Sequence, residues 1–223
     1  MEEMKLDMHI HSNYSVDGKV PVEEIIKIAK KRGMSGLCLA DHNNPAGYVH
    51  ARKVAPKDFI IVPGCEVSAK EGHILCYGTD SKIQKNLDIA ETIEKIHDAG
   101  GIAVAAHPFR TRFAVGGKAV RTGKFDGVET FNARNFKPWS NPNSALLAEE
   151  LKIGKTGGSD AHAAKDIGLG YLTIESAKNA DDIIDAIRKA KTGANGTSPS
   201  IVDGLVNTAR MFYSWASRKG EKV

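Results

Sequence analysis

Histidines and an aspartate alternate with apolar residues in the segment Leu6–His11, near the start of the chain. Because successive side chains of a β-strand point to opposite faces, Asp7, His9 and His11 are expected to share one face. Imidazoles two residues apart lie roughly 6.5 Å apart along a strand, so both can lean onto one divalent cation. The alternative is a solvated pair of histidines at a strand end, and a bare His-x-His does not decide between the two.

The size and composition of the chain are typical of one globular domain. The sequence has 223 residues, of which 41% are hydrophobic and 26% are charged, so we expect residues 1–223 to form a single domain. No apolar run approaches the ~18–20 residues that span a bilayer, which predicts no membrane contact. The acidic segment Met1–Lys5 is unlike a secretory signal, and this favours a cytoplasmic location.

The cysteines indicate the redox state of the thiols, and the net charge indicates which ligands the protein can attract. The three cysteines, Cys38, Cys65 and Cys76, lie in apolar segments, which is typical of reduced, buried thiols. The net charge of +4 and the pI near 8.8 suit an anionic substrate but are too weakly basic to predict binding of duplex nucleic acid.

Strand-like and helical segments alternate along the chain. Since alternating strands and helices favour parallel strands with right-handed crossovers, the candidates are a closed barrel and an open doubly wound sheet. The segment 193–200 resembles a boundary, and 201–219 is predicted to form a terminal helix that docks on the barrel, or alternatively contacts a second subunit in a homodimer. Besides 6–11, the predicted strands are 36–40, 59–67, 72–78, 102–106, 127–131, 155–158 and 169–174, and the predicted helices are 21–32, 46–54, 86–99, 142–151 and 179–190.

The positions of polar residues favour the barrel. An α/β barrel gathers its active site at the carboxyl ends of its strands, whereas an open sheet would spread the same residues along an edge. We therefore predict an α/β barrel of about seven strands. The residues at or just past predicted strand ends are His9, His11, His42, Glu66, His107 and Asp160.

Six short motifs in fixed order resemble those of the PHP (polymerase and histidinol phosphatase) phosphoesterases. Each motif alone is weak, but together they span residues 7–162. They are Asp7-x-His9-x-His11, Ala40-Asp41-His42-Asn43, Pro63-Gly64-Cys65-Glu66-Val67-Ser68, Gly72-His73-Ile74-Leu75-Cys76-Tyr77-Gly78, Ala106-His107-Pro108 and Gly158-Ser159-Asp160-Ala161-His162.

The resemblance implies a distorted, TIM-like barrel of seven strands with a trinuclear metal site, which would hold two to three divalent metal ions. A first metal would be held by His9, His11, Glu66 and Asp160; Glu66 would bridge to a second, held also by His73 and His107; and His42 and His162 would hold a third. Asp17 stands where some members have a further histidine for the third metal, and an aspartate is a competent ligand there.

The implied ligands indicate hydrolytic chemistry. Imidazole and carboxylate ligands without thiolates suit Zn, Mn or Fe, and a bridged metal pair can generate a hydroxide near neutral pH. The expected function is therefore hydrolysis of a small phosphomonoester by attack of a metal-bridging hydroxide. Candidate substrates are a nucleotide, a nucleoside bisphosphate, an oligonucleotide end or a compound like histidinol phosphate.

Four further residues are candidates for supporting roles. Arg110 and Arg134 lie just past predicted strand ends and could bind phosphate oxygens, or they could be solvated surface residues. Asp7 and Asp41 are expected to orient ligand histidines, and Asp41 is also a candidate for the acid that protonates the leaving group.

Two other functions remain open from the sequence. An amidohydrolase-like enzyme could use the same hydroxide on a C–N bond, where neutral replacement of Arg110 or Arg134 should matter little. A non-catalytic metal-binding module is the third possibility.

Overall fold

The computed structural model describes residues 3–197. The ten strands are β1 (Met4–Ile10), β2 (Gly36–Leu39), β3 (Ile60–Val62), β4 (Gly64–Ser68), β5 (His73–Tyr77), β6 (Ile102–Ala105), β7 (Gly127–Asn132), β8 (Gly154–Gly158), β9 (Gly170–Ile174) and β10 (Gly193–Gly196). The six α-helices are α1 (Val22–Lys31), α2 (Ala46–Val54), α3 (Ile89–Asp98), α4 (Gly116–Thr122), α5 (Ser140–Leu151) and α6 (Ala180–Arg188).

The strands form one barrel-shaped sheet that is nearly closed. Nine strands follow the order β3-β2-β1-β9-β8-β7-β6-β5-β4, and β10 pairs with β9. The two end strands, β3 and β4, are separated only by Pro63, which cannot donate a ladder hydrogen bond. A bridge between His42, just past β2, and Glu66 on β4 helps to close the barrel. The predicted α/β barrel is confirmed, with nine strands on this path instead of seven, partly because the strand 59–67 divides at Pro63.

Two strands run against the others, so the prediction of only parallel strands was wrong. β5 is antiparallel to β4 and β6, and β9 is antiparallel to β1 and β8. The loop between β4 and β5, residues 69–72, is too short for a helical crossover and permits only a reversal. As a result, His73, at the beginning of β5, lies at the same rim of the barrel as the ends of the neighbouring strands.

The chain beyond α6 also differs from the prediction. Residues 193–196 form β10 against β9, whereas the glycine-rich sequence predicted a boundary. Gly193 and Gly196 have no room for a Cβ atom against Thr173 and Phe131, so the glycines are required by close strand packing. The predicted terminal helix 201–219 lies outside the described residues.

Amphipathic helices cover the outside of the sheet. α1 buries Val22, Ile25, Ile26 and Ala29, and its first turn carries glutamates that suit the positive end of the helix dipole. Asp88 caps α3 by accepting a hydrogen bond from the Glu91 amide at 2.9 Å. Within residues 3–197, no helix is both long and apolar enough to cross a bilayer.

Candidate metal centre

One rim of the barrel brings together the nine side chains predicted to bind metal. Six of them are buried and three are half-buried. Strand ends or the loops just past them supply most members, the loop after β1 supplies Asp17, and the reversed strand β5 supplies His73 at its first residue. The nine are His9, His11, Asp17, His42, Glu66, His73, His107, Asp160 and His162.

Glu66 lies at the centre of this cluster. Its Oε1 atom is 3.1 Å from His73 Nδ1 and 3.2 Å from His107 Nε2. Its Oε2 atom is 3.1 Å from His42 Nδ1 and 3.5 Å from His11 Nε2. A single carboxylate therefore faces imidazole nitrogens that come from four different parts of the chain.

Two further groups of ligand atoms adjoin Glu66. His9 Nε2 and His11 Nε2 are 3.1 Å apart, and Asp160 Oδ1 lies 3.5 Å from His11 Nε2. On the outer side of the cluster, Asp17 Oδ2 lies 2.9 Å from His162 Nε2 and 3.4 Å from His42 Nε2. Each group is compact enough to share one ion.

The donor atoms fit divalent metals. With metal–ligand bonds of about 2.1 Å and tetrahedral or octahedral angles, two ligands of one metal lie about 2.9–3.4 Å apart, close to the distances above. The Nδ1 atoms of His42 and His107 are buried without a hydrogen-bond partner among the described residues. His42 Nδ1 is nevertheless 3.1 Å from a Glu66 oxygen. Two atoms that are this close without a hydrogen bond between them are arranged like two ligands of one metal ion.

Burial and neighbouring charges act in opposite directions on the central groups. Burial would raise the pKa of Glu66, but the surrounding imidazoles, led by His73 and His9, hold that pKa well below its usual range. Burial would likewise lower the pKa of His9, but the carboxylates of Glu129 and Asp160 raise it well above its ordinary value. Burial lowers the pKa of His107 to about 4. The cluster therefore keeps its carboxylates ionised and ready to bind cations.

Glu129, on β7, is a member of the site that the sequence analysis missed. It is fully buried, and its Oε1 atom lies 2.8 Å from His9 Nδ1. Its Oε2 atom accepts hydrogen bonds from the His107 amide at 2.8 Å and from Asn132 Nδ2 at 2.9 Å. A carboxylate bound to Nδ1 fixes the proton on that nitrogen and turns Nε2 of His9 towards the cluster. The available signal was a glutamate in the middle of an apolar strand.

Asp7 and Asp41 act on the backbone around the predicted ligands, and that they orient ligand histidines stays a prediction. Asp7 accepts a hydrogen bond from the His9 amide at 3.3 Å. It also accepts hydrogen bonds from the Ser159 amide at 2.9 Å and the Gly168 amide at 2.7 Å, and burial raises its pKa to about 6. Asp41 accepts from the amide and the hydroxyl of Ser12 at 2.6 and 2.7 Å. Both carboxylates fix the loops that carry predicted ligands, because they bind backbone groups next to those residues.

We expect Gly47→Ala to destabilise the loop after β1. A Cβ atom at Gly47 would clash with Asp41 Oδ2 and come within 3.1 Å of the Ser12 hydroxyl. Displacing this buried carboxylate should lower the free energy of unfolding by about 1–3 kcal/mol, as measured by urea denaturation. The cost should be smaller in a Ser12→Ala background. An equal cost in both backgrounds would show that the Asp41–Ser12 contact is not the cause.

Arg110 and Arg134 extend over the edge of the cluster and are not solvated surface residues. Arg110 Nη2 lies 2.7 Å from Asp160 Oδ2 and 2.7 Å from Asn132 Oδ1. Arg134 Nη1 lies 3.3 Å from Asp160 Oδ1 and 2.7 Å from His162 Nδ1. Burial would raise the pKa of Asp160, but these two guanidinium groups and His9 hold it well below its usual range.

Comparison with known proteins gives one family. The model of the PHP domain matches residues 7–150, and a PHP-associated model matches residues 138–192. An uncharacterised protein of Methanocaldococcus jannaschii, MJ1587, is 38% identical over 141 residues, which are 58% of this chain and 82% of that protein. A phosphoribosyl 1,2-cyclic phosphate 1,2-diphosphodiesterase of Eggerthella lenta is 33% identical over 81 residues, 33% of this chain and 30% of that protein.

Solved structures share the fold at low sequence identity. A two-domain protein of Bacteroides vulgatus, described as containing a predicted PHP-like metal-dependent phosphoesterase, has a TM-score of 0.75 and 18% identity. The match covers 88% of this chain and 65% of the Bacteroides vulgatus chain, so this chain spans less than two thirds of the length of that protein. Endonuclease Q in complex with a 27-mer duplex carrying an abasic lesion has a TM-score of 0.60 and 17% identity, covering 93% of this chain and 67% of that one.

Proposed function

Because the chain belongs to the PHP domain family, we propose that it is a metal-dependent phosphoesterase that hydrolyses a small phosphomonoester. The observation that carries this proposal is the central position of Glu66, which faces imidazole nitrogens at 3.1–3.5 Å on both of its oxygens. A buried carboxylate surrounded in this way has the geometry of a bridging metal ligand.

The proposed ligands fall into three groups that share members. His9, His11, Glu66 and Asp160 hold a first ion, and Glu66, His73 and His107 hold a second. Asp17, His42 and His162 hold a third, supported by the compact group that these three form with His11. Because the donors are imidazoles and carboxylates without thiolates, Zn, Mn or Fe is the expected metal. When bound, these cations supply the activation of water and neutralise charge on the phosphate.

The protein's own cations favour a phosphorylated substrate. Three carboxylates, Asp17, Glu66 and Asp160, face two guanidinium groups and the charges of two or three divalent ions, so the pocket remains positive. Arg110 and Arg134 are held at the edge of the cluster, where their free N–H groups bind phosphate oxygens. Asp41 is not assigned the role of leaving-group acid, because Ser12 occupies both of its oxygens.

The proposed substrate is a small phosphorylated molecule or the end of a short oligonucleotide. The proposed location is the cytoplasm, and the proposed protein partner is a second copy of the chain in a homodimer. Endonuclease Q, which has a similar barrel, was solved in complex with duplex DNA. For this chain, the weak net charge of +4 favours a small substrate over a duplex.

A substrate panel tests the proposal. Protein loaded separately with Mn, Zn or Fe should release phosphate from nucleotides, ribose 5-phosphate or histidinol phosphate, and chelation should abolish the release. No release from any phosphomonoester with any metal would refute phosphoesterase activity. One or more metal ions per chain without release from any substrate would instead support the non-catalytic metal-binding module, and less than one metal ion per chain after growth in supplemented medium would contradict the metal centre itself.

The two arginines distinguish phosphate ester hydrolysis from C–N hydrolysis. We expect Arg134→Gln to lower kcat/KM for a phosphomonoester by about 100-fold, because a guanidinium contact to a charged oxygen strengthens in the transition state. Arg121→Gln is the matched control, since Arg121 is an exposed residue that pairs with Glu150. A neutral amide substrate hydrolysed equally well by wild type and Arg134→Gln would favour the amidohydrolase alternative.

A further inference from the structure

Phe113 is an exposed aromatic residue at the edge of the metal cluster. Its ring stacks on the ring of His73, with centroids 5.1 Å apart and an interplanar angle of 14°. His73 is in turn 3.1 Å from Glu66. The side chain of Phe113 is nevertheless 38% exposed. One side of the ring therefore covers a proposed metal ligand, and much of the remainder faces solvent.

The backbone holds this ring in place at some cost. Phe113 has φ 60°, a left-handed conformation that is unfavourable for a bulky residue. Its carbonyl accepts a hydrogen bond from the His73 amide at 2.9 Å. The next residues of the loop pack so closely on Gly72 that a Cβ atom there would come within 2.5 Å of Val115 N. The position of Phe113 is thus fixed before any substrate binds.

Burial in the core does not explain this arrangement. A ring that contributed only to packing would be buried, and a polar residue would suit an exposed, strained loop position better. Strained residues that the surrounding structure holds in place concentrate at functional sites. A rigid, flat, apolar surface beside a phosphate site suits a ligand with a phosphate at one end and a planar aromatic group at the other.

We propose that Phe113 forms a nucleobase subsite, so that the preferred substrate class is a nucleotide or a nucleotide at an oligonucleotide end. This inference rests on the proposed function, because the phosphate must bind at the cluster for the base to reach the ring. The base stacks on the open side of Phe113, opposite His73. Stacking of this kind accepts any base, because every base has a flat π-face.

The test compares AMP with ribose 5-phosphate, which lacks the base. In the wild type, kcat/KM should be higher for AMP, and Phe113→Ala should reduce the AMP to ribose 5-phosphate ratio by about 10-fold. Phe113→Tyr should restore the ratio. Phe136→Ala is the matched control, because Phe136 is 40% exposed and lies on another loop, where it lines a groove with Pro138 and Ala194.

A direct measure of stacking separates this inference from the proposed function. Fluorescence of 2-aminopurine riboside monophosphate should be quenched on binding to the wild type and to Phe136→Ala, but much less on binding to Phe113→Ala. Phe113→Leu, which keeps apolar bulk without a flat ring, should behave like Phe113→Ala and covers the case in which the alanine variant does not fold. An unchanged ratio and unchanged quenching in both Phe113 variants would overturn the subsite, even if both substrates are hydrolysed. If the wild type hydrolyses neither substrate, the proposed function fails, and the quenching measurement alone decides whether Phe113 binds a base.

Discussion

Glu66→Gln should lose at least one metal ion per chain and lower kcat/KM for a phosphomonoester by about 10³-fold. The substitution keeps the shape of the side chain but removes the charge that faces five imidazoles. A neutral amide also presents one donor group where the carboxylate presents only acceptors. One of the two oxygen positions in contact with histidine nitrogens can then no longer bind a cation.

The measurements are elemental analysis of the purified variant and steady-state kinetics with a phosphomonoester. Glu149→Gln is the control, since the Glu149 side chain is 60% exposed and pairs only with Lys155 among the described residues. It should match wild type in both measurements. Wild-type metal content and activity in Glu66→Gln would rule out a bridging role for this residue and, with it, the proposed centre.

The sequence predicted the positions of the polar residues better than the directions of the strands. His42 and His107 could be recognised because each follows an apolar run, and a barrel gathers such strand ends at one rim. The reversal at β5 follows from the short loop 69–72, a local signal that the sequence analysis did not use, but the sequence does not show that β5 pairs with β6. That pairing is a long-range contact that no local pattern specifies.

The partners of the buried carboxylates were harder to predict for a similar reason. Asp7 and Asp41 bind amides of Ser159, Gly168 and Ser12. Because every residue except proline has a backbone amide, the sequence does not show which amide a buried carboxylate will bind. In the sequence, Glu129 is a charged residue within a largely apolar strand, and this signal does not give its partner. Only its complete burial beside His9 identifies it as part of the site.

Glu129→Gln should weaken metal binding by about 100-fold through the proton on His9. The Oε2 atom of Glu129 accepts from the His107 amide and from Asn132, so the single oxygen of a glutamine must take that position. Its NH₂ group then faces His9 Nδ1. Because an NH₂ group can only donate, His9 must carry its proton on Nε2, the nitrogen that lies 3.1 Å from His11 Nε2 within the cluster.

A metal titration with a competing chelator measures this effect, and excess metal should restore much of the activity because Glu129 acts through His9 rather than on the substrate. With metal present, the protonation of His9 can be read separately from the ¹⁵N chemical shifts of its ring, which should show the proton on Nδ1 in the wild type and on Nε2 in Glu129→Gln. Glu129→Asp, which keeps the charge on a shorter side chain, should keep the proton on Nδ1. If Glu129→Gln binds metal as tightly as the wild type while the ¹⁵N shifts show the proton of His9 on Nε2, then His9 does not bind metal through Nε2.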